Sequence, residues 1–354
     1  MQFQLYKKKF LKKARKEGFD QLEINRCLDY AEKLLNNGLP VIFDIDHFSK
    51  LVGYDEKYLR KAVTHTTAFY RKFNVPKRNG TVRQICEPLP SLKEIQLWIL
   101  KNVLQRIPIH PHAKAFKTGV GLRENLKFHI NQPLVMTMDI VDFFPSITRD
   151  QVEGLFYEVG YGKKLSNLFA KICTLSNHLP QGAPTSPYLS NLIFKPVDEQ
   201  LAEYCKANRI RYTRYADDLT FSGEFDPNLL FNLVQSKING IGMQLHPSKT
   251  KVMRNHQQQR VTGMVVNKKM QVPFEKRNRL RQEMYMISKF GLEEHMKHQA
   301  IDDKHYLQRL KGQVNFILHL NPRDEEFKKY MLQLNELNHE EDKPVHVKSA
   351  LLTE

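Results

Sequence analysis

An α+β fold is what this 354-residue sequence predicts, and three observations predict it. Strand-like and helix-like patterns interleave through the middle of the chain. Both ends read as mainly helical. An apolar share of 41% is ordinary for a packed globular core. The charge is less ordinary: 55 Lys and Arg against 38 Asp and Glu, a formal +17. Such an excess points to a polyanionic partner, either nucleic acid or an anionic membrane surface. No apolar run reaches the ~18 residues of a spanning helix. The start, MQFQLYKKKFLKKARKEG, lacks the apolar core of a secretion signal. The expectation is therefore a cytoplasmic protein with no membrane partner. Cys27, Cys86, Cys173 and Cys205 are far apart and form no CxxC pair, which argues against zinc and for free thiols. No fixed-period repeat or low-complexity tract is present.

Residues 1–60 read as a helical extension. Asp20-Gln21-Leu22-Glu23 resembles a capping box, and Ile24, Cys27, Leu28, Ala31, Leu34 and Leu35 follow at helical spacing until Gly38 and Pro40. Upstream, Lys7, Lys8, Lys9, Lys12, Lys13, Arg15 and Lys16 form either a solvated face or a nucleic-acid contact. Residues 70–88 predict two strands around an Asn79-Gly80 turn, and a helix with Trp98 follows over 92–104. Residues 134–144, LVMTMDIVDFF, predict an apolar strand ending in acids. Thr148 to Gln151 then fits a capping box, with Val152, Leu155, Phe156 and Val159 on one helical face.

Further on, a Gly/Pro loop leads into a helix that Pro187 can begin and Pro196 must end or kink. Residues 210–222 predict a hairpin with Ala216-Asp217-Asp218 at its tip. Asp226 and Pro227 start a helix that faces the core with Leu230, Val234 and Ile238 and ends at Gly240. Short strands are expected within 243–274, including Arg260–Val266 and Met270–Pro273. Helix returns from Glu275 to about Leu320, with Lys276, Arg277, Arg279 and Arg281 at its start. The tail from His339 is polar and expected to be poorly ordered.

The chemistry gathers on three acids, Asp139 at a strand end and Asp217 and Asp218 at a hairpin tip. Asp alone is common in turns. Here the strand behind Asp139 is apolar, and Tyr212, Tyr215, Leu219 and Phe221 flank the Asp pair. Carboxylates clustered beside a core repel one another unless a cation neutralises them. Oxygen-only ligands favour Mg²⁺, with Mn²⁺ the alternative. Two such ions would activate an attacking hydroxyl and stabilise a leaving pyrophosphate.

These residues resemble a known family. Tyr215-Ala216-Asp217-Asp218 matches the Y-x-D-D box of reverse transcriptases. Asp139-Ile140-Val141-Asp142-Phe143-Phe144 matches their preceding acid motif, and Leu179 to Pro187, LPQGAPTSP, matches the loop between. The resemblance spans most of residues 40–320. It implies a right-hand polymerase: a 1–60 extension, fingers and palm over 61–274, a helical thumb over 275–338 and a 339–354 tail. It further implies that Asp139, Asp217 and the Ile140 carbonyl coordinate metal, with Asp218 holding one ion or orienting the primer end. Lys77 and Arg83 would grip the incoming deoxynucleoside triphosphate, and Gln181 and Gly182 would line its pocket. Phe144 would exclude a ribose 2′-OH, or else is a core aromatic. Lys249 would be a proton donor to pyrophosphate, though Lys251 is close.

Val261-Thr262-Gly263 matches a signature of the retron branch. Asn125 and His129 stand where that branch has an N-A-x-x-H motif, with Leu126 replacing its alanine. His129 is otherwise a surface or core-satisfied histidine. Nothing in the chain resembles a maturase, endonuclease or RNase H region. The retron resemblance implies a cognate structured noncoding RNA that serves as template and primes from an internal guanosine 2′-OH. The product would be a branched RNA–DNA hybrid. It also implies antiphage defence with an accessory effector protein. Asn125, His129, Val261, Thr262, Gly263, Arg277 and Arg281 would contact RNA or primer, the thumb arginines by tracking a duplex backbone. Two rivals stay open: an RNA-binding scaffold with an inactive site, and another bacterial defence or mobile-element reverse transcriptase without a branched product.

Overall fold

The computed structural model describes residues 2–76 and 80–341. Lys77, Asn79 and the tail from residue 342 lie outside the described residues. The chain divides into two compact units, Met1–Gly121 with Met136–Val252, and Leu122–Val135 with Met253–Glu354. Residues 1–60 thus share the first unit with the central sheet, and 253–274 share the second with the C-terminal helices.

In the first unit, α1 (Gln2–Lys16) and α2 (Gln21–Asn36) form a helical pair. Asp20 accepts the Glu23 N–H at 2.7 Å and Glu23 reaches back, the reciprocal cap expected from the sequence and worth roughly 1 kcal/mol. Ala14, Ile24 and Leu28 are buried between the pair with Phe3, Tyr6 and Phe10 packed around them. Lys8, Lys9, Lys12 and Lys13 remain exposed. Next come α3 (Ile45–Val52) and α4 (Glu56–Thr64). β1 (Tyr70–Pro76) and β2 (Val82–Pro88) are antiparallel, with Pro76 opposite Val82. The helix with Trp98 is α5 (Pro90–Asn102), started by its proline.

After α6 (Leu122–Leu126) of the second unit, the chain enters β3 (Leu134–Asp139). The strand stops at Asp139 rather than at 144, because the backbone turns and Asp142 takes a left-handed φ of 45°. α7 (Arg149–Glu158) carries the expected Thr148/Gln151 cap, and α8 (Lys163–Cys173) follows. α9 (Ser186–Ala207) continues past Pro196, so the proline does not end it. Proline there lacks a bond to the Leu192 carbonyl and crowds it, at about 3 kcal/mol. Burial of Leu192, Phe194, Val197 and Leu201 on the same helix offsets that cost. β4 (Arg211–Tyr215) and β5 (Asp218–Gly223) form the expected hairpin, and α10 (Pro227–Asn239) is capped by Asp226. With β6 (Lys251–Arg254) the sheet order is β4-β5-β3-β6.

The second unit has its own core, centred on Leu126, Val261, Leu280, Leu310, Val314 and Phe327. Arg260–Val266 is not one strand. β7 (Arg260–Val261) and β8 (Met264–Val265) pair antiparallel around a two-residue turn. Thr262 and Gly263 occupy it at φ 45° and 78°, the left-handed pair a tight hairpin needs. Of Met270–Pro273 only Gln271 pairs, bridging Val265. The helix expected over 275–320 is three, α11 (Phe274–Phe290), α12 (Leu292–His298) and α13 (Tyr306–Leu320), and α14 (Glu325–Glu341) follows them. Gly291 at φ 84° breaks the first from the second. All four cysteines are free.

Candidate active site

Three backbone bonds assemble the acid site from separate pieces of chain. The Ile140 N–H donates to the Asp217 carbonyl at 3.2 Å, the His246 N–H to the Asp139 carbonyl at 2.7 Å, and the Val141 N–H to the Gln244 carbonyl at 2.9 Å. The end of β3, the β4–β5 turn and the 244–249 segment therefore meet. Tyr215 pairs with Asp218, so Ala216 and Asp217 are the two turn residues, with Ala216 at φ 58°. An extended residue carries its N–H and C=O on one edge. The Ile140 carbonyl accordingly lies on the edge that faces Asp217.

The electrostatics follow from burial. Asp218 is pushed up to about 7, first by burial and then by Asp217 and Asp139 beside it. Burial also raises Asp217, with Asp139 adding and Lys249 and Arg83 opposing. Lys249 sits in the turn after His246, its ammonium 2.5 Å from Asp139 Oδ2, and that bond raises its own pKa. One carboxylate is thus neutralised by Lys249 and another holds its proton near neutrality. Oxygen donors this crowded fit a hard divalent cation, which would relieve their repulsion. Among the described residues no group of three or more His, Cys, Asp or Glu side chains stands ready to hold a metal. Lys249 holds one oxygen of Asp139, Oδ2.

Around the acids, Phe144 is half-buried, 5.6 Å from the Phe143 ring and 6.1 Å from that of Phe116. Arg83 is exposed on β2 and close enough to bias Asp217. The Gln181 carbonyl accepts the Cys86 N–H of β2 at 2.7 Å. At Gly182, with φ 123°, a Cβ would fall 2.7 Å from the Cys86 carbonyl oxygen and 2.9 Å from Ile85 Cγ2. Only glycine lets this loop reach β2. Lys77, the other expected triphosphate ligand, lies outside the described residues.

The remaining expected residues lie in the second unit. Asn125 and His129 are fully buried, as is Val261. Asn125 Nδ2 donates to Thr262 Oγ1 at 3.4 Å, so the two signature segments touch. What they leave at the surface is the Thr262–Gly263 turn. Arg277 and Arg281 do not stand free as a basic backbone-tracking face. Arg277 is buried, 2.8 Å from Asp324 and 4.8 Å over the Phe327 ring, and Arg281 holds Glu326 at 2.5 and 2.8 Å. These pairs tie α11 to the start of α14, whereas Lys276 is exposed, and Arg279, also exposed, pairs with Glu283 on its own helix.

Two features escaped the sequence reading. Phe116 is exposed at φ 61° and faces Phe144, and Arg214 and Asp198 form a fully buried ion pair beneath the acid turn. Residue order alone does not show the pair: Arg214 lies in a strand that reads Arg-Tyr-Thr-Arg-Tyr, and Asp198 in a stretch that also carries Lys195 and Glu199.

The family model for reverse transcriptase (RNA-dependent DNA polymerase) matches residues 75–266. The Escherichia coli retron Ec86 reverse transcriptase is 33% identical over 264 residues, covering 72% of this chain and 81% of that protein. The chain belongs to the retron reverse transcriptases. Two Myxococcus xanthus relatives in the family agree. The retron Mx65 enzyme is 31% identical over 319 residues, 83% of this chain and 72% of the relative. The retron Mx162 enzyme is 34% identical over 270 residues, 67% of this chain but 56% of the relative. Among solved structures, telomerase from Candida tropicalis overlaps 82% of this chain and 59% of its own, at 12% identity and a TM-score of 0.44. As a retron reverse transcriptase the protein is an RNA-directed DNA polymerase with a right-hand polymerase fold and an RNA template as partner. Among the described residues no helix is long and apolar enough to cross a membrane.

Proposed function

We propose that this enzyme copies a cognate structured noncoding RNA, priming from the 2′-OH of an internal guanosine and leaving a branched RNA–DNA hybrid. It acts in the bacterial cytoplasm, in antiphage defence, together with an accessory effector protein. The observation that carries the polymerase chemistry is the convergence of Asp139, Asp217 and Asp218 on one edge, with Asp218 raised to about 7 by burial and then by those neighbours. Asp139, Asp217, Asp218 and the Ile140 carbonyl would hold Mg²⁺, or Mn²⁺ in its place. When bound, two such ions supply an activated 2′- or 3′-hydroxyl and charge stabilisation for departing pyrophosphate.

The chain's own residues do the rest. Asp218 holds one ion or orients the primer terminus. Lys249, kept protonated by Asp139, is placed to give its proton to pyrophosphate. Arg83 on β2, together with Lys77, matches triphosphate charge. Gln181 and Gly182 form the pocket floor, fixed by the Cys86 bond. Phe144 fills the space a ribose 2′-OH would need. The Thr262–Gly263 turn offers a hydroxyl and an open backbone to the RNA, and Asn125, His129 and Val261 support it from within. Lys276 and Arg279 take over the backbone contacts first expected of Arg277 and Arg281.

The retron-specific part is tested with Thr262→Val combined with Gly263→Ala. Synthesis on the cognate noncoding RNA should fall at least tenfold, while extension of a generic annealed primer stays within about twofold. Equal loss on both templates would make the turn structural. Full activity on both would remove it as a determinant of cognate priming.

A further inference from the structure

A buried ionic network lies under the acid turn, and none of the roles above uses it. Arg214 on β4 and Asp198 on α9 have no exposed side-chain surface. The guanidinium grips Asp198 with two bonds, Nε to Oδ1 at 2.9 Å and Nη2 to Oδ2 at 2.6 Å. Asp198 also accepts the Tyr212 hydroxyl at 2.7 Å. The guanidinium lies 4.4 Å over the Phe194 ring. Its remaining nitrogen, Nη1, donates to Asn191 Oδ1 at 3.1 Å and to the Ala216 carbonyl at 3.0 Å. Asn191 in turn donates to the Ala115 carbonyl at 2.9 Å. The next residue, Phe116, is the one that faces Phe144.

Stability alone does not account for this arrangement. Moving a carboxylate and a guanidinium out of water is costly, and apolar replacement of a buried ion pair is often neutral or stabilising. What an apolar pair cannot supply is a rigid fork of donors with fixed directions. One prong ends on Ala216, a non-glycine residue held in the left-handed region. The same turn is held from its other side by the Ile140 N–H on Asp217. Lysine could keep the charge but not aim at Asp198, Asn191 and Ala216 together.

We propose that Arg214, locked by Asp198 and Asn191, is a positioning residue for DNA synthesis. It fixes the Ala216–Asp217 turn against β3, so that Asp217 and Asp218 meet Asp139. Through Asn191 it also holds the Ala115–Phe116 segment against Phe144. The inference rests on the proposed role of the acids, and the parent protein's own extension activity separates the two. A parent that fails to extend a primer overturns both.

The test replaces the pair by Arg214→Met with Asp198→Leu and compares the variant with the parent. Melting temperature, RNA affinity, and kcat and KM for one deoxynucleotide on an annealed RNA template are measured. The expected result is melting within a few degrees of the parent and unchanged RNA affinity. KM should stay within about threefold, while kcat falls about 10- to 100-fold, the scale of an ångström-level misplacement of reacting groups. A folded double variant with kcat within twofold of the parent would overturn the proposal. If the double variant does not fold, Arg214→Lys decides by the same numbers: reduced kcat at unchanged melting supports positioning, and parental kcat refutes it.

Discussion

Removing the Asp218 charge should make the metal-free protein more stable, and the gain should depend on pH in a fixed direction. The native carboxyl titrates at about 7 against an ordinary 3.8, because it is buried beside Asp217 and Asp139. Between those two values the folded protein holds a proton that the unfolded chain has released. Stability therefore falls as pH rises through that window and stays low above it. A displacement of about 3 units corresponds to roughly 4 kcal/mol as a ceiling. The three acids share their protons, so the gain is smaller than that ceiling. Asp218→Asn removes the ionisation. In EDTA at pH 8 the variant should unfold at higher urea than the parent, and the gap should close towards pH 4–5. Added Mg²⁺ should raise the parent more than the variant, since binding to the folded state stabilises it. A gap that does not change between pH 4.5 and 8, or one of opposite sign, would refute the burial of Asp218 beside Asp217 and Asp139.

Gly182→Ala should cost roughly 2–5 kcal/mol, combining left-handed strain with a Cβ 2.7 Å from the Cys86 carbonyl, and should weaken nucleotide binding as β2 shifts. Urea unfolding and a nucleotide titration check it. Phe144→Ala should raise ribonucleotide incorporation relative to deoxyribonucleotide; an unchanged ratio in an active variant would leave Phe144 a packing residue. Lys8, Lys9, Lys12 and Lys13 changed together to Gln should weaken binding of a structured RNA and flatten its salt dependence, by about 0.7–0.9 in slope for each phosphate no longer neutralised. Filter binding across a salt series reads this directly, and an unaltered slope would return α1 to the role of a solvated face.

Local signals were legible where the chemistry is local. The caps at Asp20 and Thr148, the β4–β5 hairpin and the three acids could all be read from residue order. The missing features depend on distant partners. Thr262 is β-branched and favours extended backbone, so Val261–Gly263 reads as strand. It turns because Asn125, far away in sequence, meets its hydroxyl and because Gly263 accepts a positive φ. Pro196 reads as a helix end until the packing of its neighbours is known. Arg277 and Arg281 read as a basic face because nothing adjacent shows that Asp324 and Glu326 will fold back onto them. Arg214 is invisible for the same reason, since its partners come from α9 and from its own turn.

The central claim is that Asp139, Asp217 and Asp218 form one cation-dependent polymerase site. The most direct measurement is primer extension on an RNA template by Asp139→Asn and Asp217→Asn, in Mg²⁺ and in EDTA, with RNA affinity measured on the same preparations. Loss of a carboxylate ligand removes several kcal/mol of transition-state stabilisation, about 10³-fold or more in rate. Each variant should bind RNA within about twofold of the parent yet give no detectable extension in Mg²⁺, matching the parent in EDTA. Extension by Asp217→Asn at near-parental rate in Mg²⁺ would contradict the account.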